Sequence, residues 1–140
     1  MIRDLTGSEL FHIEPLNAYP ADYTETTEVA KEELRVRARP ELAHRLESID
    51  RYDRIFLGYP NWWGTAPMPV FTFLEECGPK EKTIAPFCTH EGSGLGHSVA
   101  DIRRACPHST VLDGLAIRGA EVKGAKDAVS TWLRELGLKN

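Results

Sequence analysis

At 140 residues, with 41% hydrophobic and 27% charged residues, the chain has the size and composition of one soluble globular domain that folds without relying on disulfides or metals. A net charge of −4 argues against nucleic acid or an anionic membrane as the main partner, and no apolar run is long enough to cross a bilayer. Three cysteines at unrelated spacings, Cys77, Cys88 and Cys106, fit a reduced, cytoplasmic setting, and the mixed-charge start from Met1 to Gly7 lacks the apolar centre of a secretory signal.

Ile2 and Leu5, three apart and followed by Gly7, read as the tail of an amphipathic helix with a left-handed cap. A helix that short is not stable alone, so the stretch reads as the end of a longer element. Leu10 to Ile13 is expected as a short strand closed by Pro15, and the prolines and Asn17 that follow mark a surface loop. Asp22 or Thr24 can cap an exposed helix running to about Arg37. A second helix is expected from Pro40, with Leu42, Leu46 and Ile49 at helical spacing.

Arg54 to Gly58 is the next strand, and Ala66 to Glu76 its helix, with Thr65 as the expected cap, Pro67 in the first turn and Gly78 at the end. Lys82 to Cys88 reads as a strand in which Pro86 must sit where no ladder donor is needed. A helix from Ser98 to Cys106, a strand from Thr110 to Ile117 broken by Asp113-Gly114, and a helix from Ala125 to Leu136 complete the chain. Strands alternating with helices predict an α/β fold of three layers, a doubly wound parallel sheet covered on both faces.

Two loops carry the chemistry. Tyr59 to Thr65 places Pro60, Asn61, Trp62, Trp63, Gly64 and Thr65 at the C-terminal end of a strand, where open α/β sheets bind ligands. Thr89, His90, Glu91, Gly92, Gly94 and Gly96 follow the next strand, and the glycines let backbone approach a ligand closely. The pair can face each other across a flat aromatic ligand, with Trp62 or Trp63 stacked on its ring and the amides of Asn61, Gly64 and Gly92 to Gly96 on its polar rim. The alternative is that the indoles fill the space between helix and sheet.

Gly92-x-Gly94-x-Gly96 has the wrong spacing for a dinucleotide fingerprint. Cys88, His90, Glu91 and His97 lack zinc-site spacing. Cys88 with His90 could form a nucleophile and base, except that at a strand end their side chains are expected to diverge. No catalytic residue and no metal ligand are assigned.

Gly58-Tyr-Pro-Asn-Trp-Trp-Gly-Thr65, Pro86-Phe-Cys-Thr-His-Glu-Gly-Ser-Gly-Leu-Gly96 and Gly114-Leu-Ala-Ile-Arg-Gly119 resemble the corresponding motifs of the short bacterial flavodoxin-like proteins, as does Leu10 to Tyr23. The resemblance covers nearly the whole chain. It implies a five-stranded parallel sheet of order 2-1-3-4-5 that binds FMN and passes electrons to a redox partner protein or small acceptor, with the two loops around the isoalloxazine. The departure is at the start. The family opens with a strand and a Ser/Thr-rich loop that wraps the FMN phosphate, and this sequence opens instead on what resembles the end of the following helix. The missing strand is the central one, so the resemblance implies weakened or lost FMN binding and an open edge at Ile55-Phe56-Leu57, covered by a homodimer or an exchanged element. A non-enzymatic oligomeric module without flavin is the alternative reading.

Overall fold

A computed structural model describes residues 2–46 and 49–137. Helix α1 (Ile2–Thr6) is followed by α2 (Tyr23–Val36), β1 (Arg54–Pro60), α3 (Met68–Cys77), β2 (Thr83–His90), α4 (Ser98–Ala105), β3 (Thr110–Val111), β4 (Leu115–Arg118), a 3-10 helix (Gly119–Gly124) and α5 (Lys126–Glu135). The strands form one parallel sheet in which β2 is central: β1 pairs on one side, β3 and β4 in succession on the other. The fold is α/β and flavodoxin-like, with four strands among the described residues where the resemblance implied five, and with β1 at an edge.

The pleat of β1 divides its side chains between two cores. Leu57 and Tyr59 join Val70, Phe71, Leu74 and Ile102 under α3 and α4. Phe56 and Phe87 lie on the opposite face with Val129, Trp132 and Leu133 of α5, where Ile2 and Leu5 of α1 also pack. Helices thus cover both faces, as strands apolar at successive positions require.

Pro86 is fully buried in the central strand, and its neighbours accommodate it. Ile84 pairs with Val111 and Phe87 with Leu115, so β3 and β4 spend one residue more than β2 over this interval. The resulting bulge, at Asp113-Gly114, falls beside the proline, where a ladder donor is missing anyway.

Three local expectations are corrected. Leu10 to Ile13 is not a strand: the segment makes no backbone pairing among the described residues, and Phe11 instead stacks on Phe73 of α3 at 5.6 Å. The helix expected from Pro40 to Ile49 is absent among the described residues. There Leu42 bridges Pro15 antiparallel, through Leu16 N–H to Glu41 O (2.7 Å) and Ala43 N–H to Glu14 O (2.7 Å). Leu42 and Ile49 are buried without helical backbone. Thr65 does not cap α3; Pro67 holds the N-cap position with no side-chain bond. Asp22, by contrast, caps α2 by accepting from Glu25 N–H at 3.0 Å.

Candidate functional site

β1 and β2 end in register, Pro60 opposite Thr89, so the loops that follow leave the sheet side by side. Asn61 N–H donates to Thr89 O at 2.8 Å. The Asn61 side chain then uses both ends of its amide: Nδ2 donates to Gly94 O at 2.7 Å, and Oδ1 accepts Gly64 N–H at 2.9 Å. Gly96 lies directly against the Gly64 carbonyl, where any Cβ would clash with backbone, and His97 N–H donates to Gly64 O at 2.8 Å. The two loops are therefore fastened to one another along this side.

Within the aromatic loop, Trp62 and Thr65 bond each other's backbone in both directions, at 2.8 and 3.2 Å. The intervening Trp63 and Gly64 have φ of 55° and 84°, the signs of a type I′ turn. A left-handed tryptophan costs about 1–2 kcal/mol, and two contacts hold it. Its Nε1–H donates to Thr27 O of α2 at 2.9 Å, and Lys31 Nζ stands 5.4 Å from the ring centroid. Trp63 is thus laid on α2.

Trp62 points elsewhere. It lines a groove of about 610 Å³ that also takes in Tyr19, Phe56, Gly58 and Pro60. Tyr19 meets its indole edge-on at 5.0 Å and 88°. The Tyr19 hydroxyl donates to Glu33 Oε1 at 2.6 Å, and burial pushes that phenol's pKa up. Trp62 therefore presents a ring face oriented by a second aromatic that is itself tied to α2.

The glycine loop lies beyond Asn61. None of Thr89 to Gly96 lines the groove. Glu91, Gly92 and Ser93 are exposed, Gly92 N–H donates to His90 Nδ1 at 2.9 Å, and the amides of Ser93 and Gly94 make no bond among the described residues. Thr65, buried, donates to Asp101 Oδ2 at 2.6 Å, the same oxygen that His97 Nδ1 meets at 2.6 Å, while Arg104 pairs with the other oxygen. That carboxylate ties the aromatic loop to the start of α4.

Cys88 and His90 are two apart on β2, so the pleat turns them to the same face rather than apart. Their polar atoms are committed elsewhere: Cys88 Sγ lies 3.5 Å from Gly94 O, and His90 Nδ1 accepts the Gly92 amide. Burial also raises the Cys88 thiol's pKa, against the direction that makes a nucleophile. Tyr19 is a groove residue that the sequence reading does not assign to the site; it lies within the Leu10 to Tyr23 segment that carries the family resemblance, and its aromatic side chain among loop residues is the available signal.

A family model described as Flavodoxin matches residues 1–136. The fold superposes on a candidate flavoprotein from Bacteroides eggerthii DSM 20697 with a TM-score of 0.83 at 28% identity, covering 99% of this chain and 87% of that one. A candidate flavoprotein from Bacteroides uniformis ATCC 8492 gives 0.77 at 25% identity, over 92% and 85%. A flavoprotein from Lactobacillus acidophilus NCFM, solved in complex with FMN, gives 0.61 at 24% identity, over 79% and 74%. No protein of curated function matches. Among the described residues no helix is long and apolar enough to cross a membrane.

Proposed function

The chain belongs to the flavodoxin family, and from that premise we propose that it is an FMN-binding flavoprotein that carries electrons to a redox partner protein or a small acceptor. The observation that carries this reading is Trp62, half-buried on an apolar groove and oriented by Tyr19. A planar ring stacked there gains roughly 0.5–1.5 kcal/mol beyond area burial.

The chain's own groups suit the ring better than the phosphate. Apolar side chains line the groove beside Trp62, and the amides of exposed Ser93 and half-buried Gly94 make no bond among the described residues. For a phosphate, the nearest Ser/Thr cluster is Thr24 to Thr27. Its Thr26 hydroxyl donates to Pro20 O and its Thr27 hydroxyl to Tyr23 O, so neither is a free donor, and Glu25 and Glu28 repel an anion. We therefore place the ring at Trp62 and expect weak binding by this chain, because one end of the cofactor finds no cradle among the described residues. When bound, flavin supplies the redox chemistry; Trp62 supplies a stacking face and Asn61 and Gly64 fix the loop that carries it.

The second reading, a flavodoxin-fold module that has given up flavin, rests on the same occupied hydroxyls. Titrating the apo chain with FMN while following tryptophan fluorescence separates the two. Saturable quenching supports the flavoprotein, and its absence up to millimolar FMN supports the module.

A further inference from the structure

A second, smaller cavity lies at the end of α2. Arg37 is left-handed (φ 53°), and its N–H and that of Ala38 donate back to Leu34 O and Glu33 O, so the chain folds over the last turn of the helix. The bridge between Pro15 and Leu42 then fastens residues 14–16 against residues 41–43. These walls enclose about 300 Å³ lined by Pro15, Asn17, Tyr19, Glu33, Arg39 and Glu41, the lower end of small-molecule sites. Its polar groups are incompletely matched. Half-buried Glu33 stands in the last turn of α2, beside the negative end of the helix, and accepts a bond from the neutral Tyr19 hydroxyl at 2.6 Å. Neither Glu33 nor Glu41 has an ion-pair partner among the described residues, since Arg35 pairs with Glu32 and Arg39 with Glu75. Arg39 spends Nε on Glu75 and Nη1 on the Arg37 and Ala38 carbonyls. Its Nη2 and the Asn17 amide make no bond among the described residues.

We propose that this cavity binds a free α-amino acid with a small aliphatic side chain. The ammonium group supplies the positive charge that Glu33, Glu41 and the helix end lack, and the carboxylate takes the donors left on Arg39 and Asn17. Pro15, Ala38 and Pro40 are the apolar part of the lining, and the volume that remains suits a short aliphatic chain. Each half alone fits worse. A bare amine leaves the Arg39 and Asn17 donors unmatched, and a bare carboxylate is set beside two others. A metal ion fits worse still, because no group of three metal-binding side chains occurs among the described residues and Arg39 would face it. Tyr19 is shared: it lines this cavity and the groove, and it meets Trp62 edge-on at 5.0 Å. An ammonium on Glu33 competes with the Tyr19 hydroxyl for that carboxylate, so occupancy of the cavity is felt at Trp62.

The proposal stands apart from the flavin reading and is tested on the apo chain, without flavin. The probe is L-valine, with isobutylamine and isobutyrate as its two halves, followed by amide NMR and by tryptophan emission. Expected are saturable shifts at Asn17, Tyr19, Glu33 and Glu41 with L-valine, and affinities roughly tenfold or more weaker for either half. Glu41→Gln, at an exposed residue in no ion pair, weakens L-valine without loss of the fold, and so does Asn17→Ala. Trp62→Leu keeps the amide shifts and loses the change in emission. Absence of saturable shifts at tens of millimolar L-valine overturns the proposal. So does isobutylamine binding as tightly as L-valine, since the cavity then attracts any cation, or affinity unchanged by both Glu41→Gln and Asn17→Ala.

Discussion

The amide of His97 donates to the carbonyl of Gly64 at 2.8 Å, and through that bond the glycine loop holds the turn on which both tryptophans sit. Gly96, immediately before, has φ of 57° and no room for a Cβ against the Gly64 peptide. Gly94, two residues earlier, has φ of 65° and open space. Gly94→Ala should therefore cost about 1–2 kcal/mol, the left-handed penalty alone. Gly96→Ala should cost more, because a backbone neighbour cannot swing aside. Urea unfolding of the two variants measures the difference, and equal losses would show that the loop contact is soft.

The two tryptophans should separate cleanly. Trp63→Phe removes the bond to Thr27 O and should lower stability by about 0.5–1.5 kcal/mol with little change in flavin affinity. Trp62→Leu keeps an apolar side chain in the groove but removes the stacking face, and should weaken flavin by up to about tenfold, the equivalent of roughly 1.4 kcal/mol. Unfolding curves and flavin titrations on both variants check the assignment.

Asp101 receives Thr65 and His97 on one oxygen and Arg104 on the other. Asp101→Asn keeps the shape and weakens charge-assisted bonds, which are worth about 1.5–3 kcal/mol each when buried. His97 and Arg104 are exposed, so most of the loss should come from Thr65. Thr65→Val in the Asp101→Asn background should then cost less than in the wild type, a coupling read from a double-mutant cycle.

Burial pushes the Cys106 thiol from 9.0 up to about 11. The folded chain keeps that proton after the unfolded chain has lost it, so stability is fully present below pH 9 and is lost as pH rises towards 11. The decline reaches ~2.7 kcal/mol if this thiol acts alone. Burial raises Cys77 and Cys88 in the same direction. Cys106→Ala should lower stability at neutral pH and flatten the slope above pH 9; an unchanged slope would assign the alkaline loss elsewhere.

The sequence makes the sheet and its flanking helices legible wherever burial and local pattern agree. Ile55-Phe56-Leu57 and Thr83 to Cys88 are apolar at successive positions because helices cover both faces, and Gly78 ends α3 in the left-handed conformation that glycine allows. Leu42, Leu46 and Ile49 mislead because helical spacing also suits an irregular segment whose side chains reach the core one at a time. Leu10 to Ile13 has strand composition, but pairing needs a neighbour, and across the groove β1 stands too far away to provide one. The aromatic loop is legible as a candidate site; the different surroundings of Trp62 and Trp63 are not, since they depend on α2 arriving beside Trp63 and Tyr19 beside Trp62.

Parallel titration of the apo chain with FMN and riboflavin, read by tryptophan quenching in the wild type and in Trp62→Leu, bears most directly on the account. With the ring at Trp62 and no phosphate cradle among the described residues, both ligands should quench, with affinities within a few-fold of each other, and Trp62→Leu should lose most of the quenching. Quenching by neither ligand, or FMN binding far tighter than riboflavin and indifferent to Trp62→Leu, would contradict it.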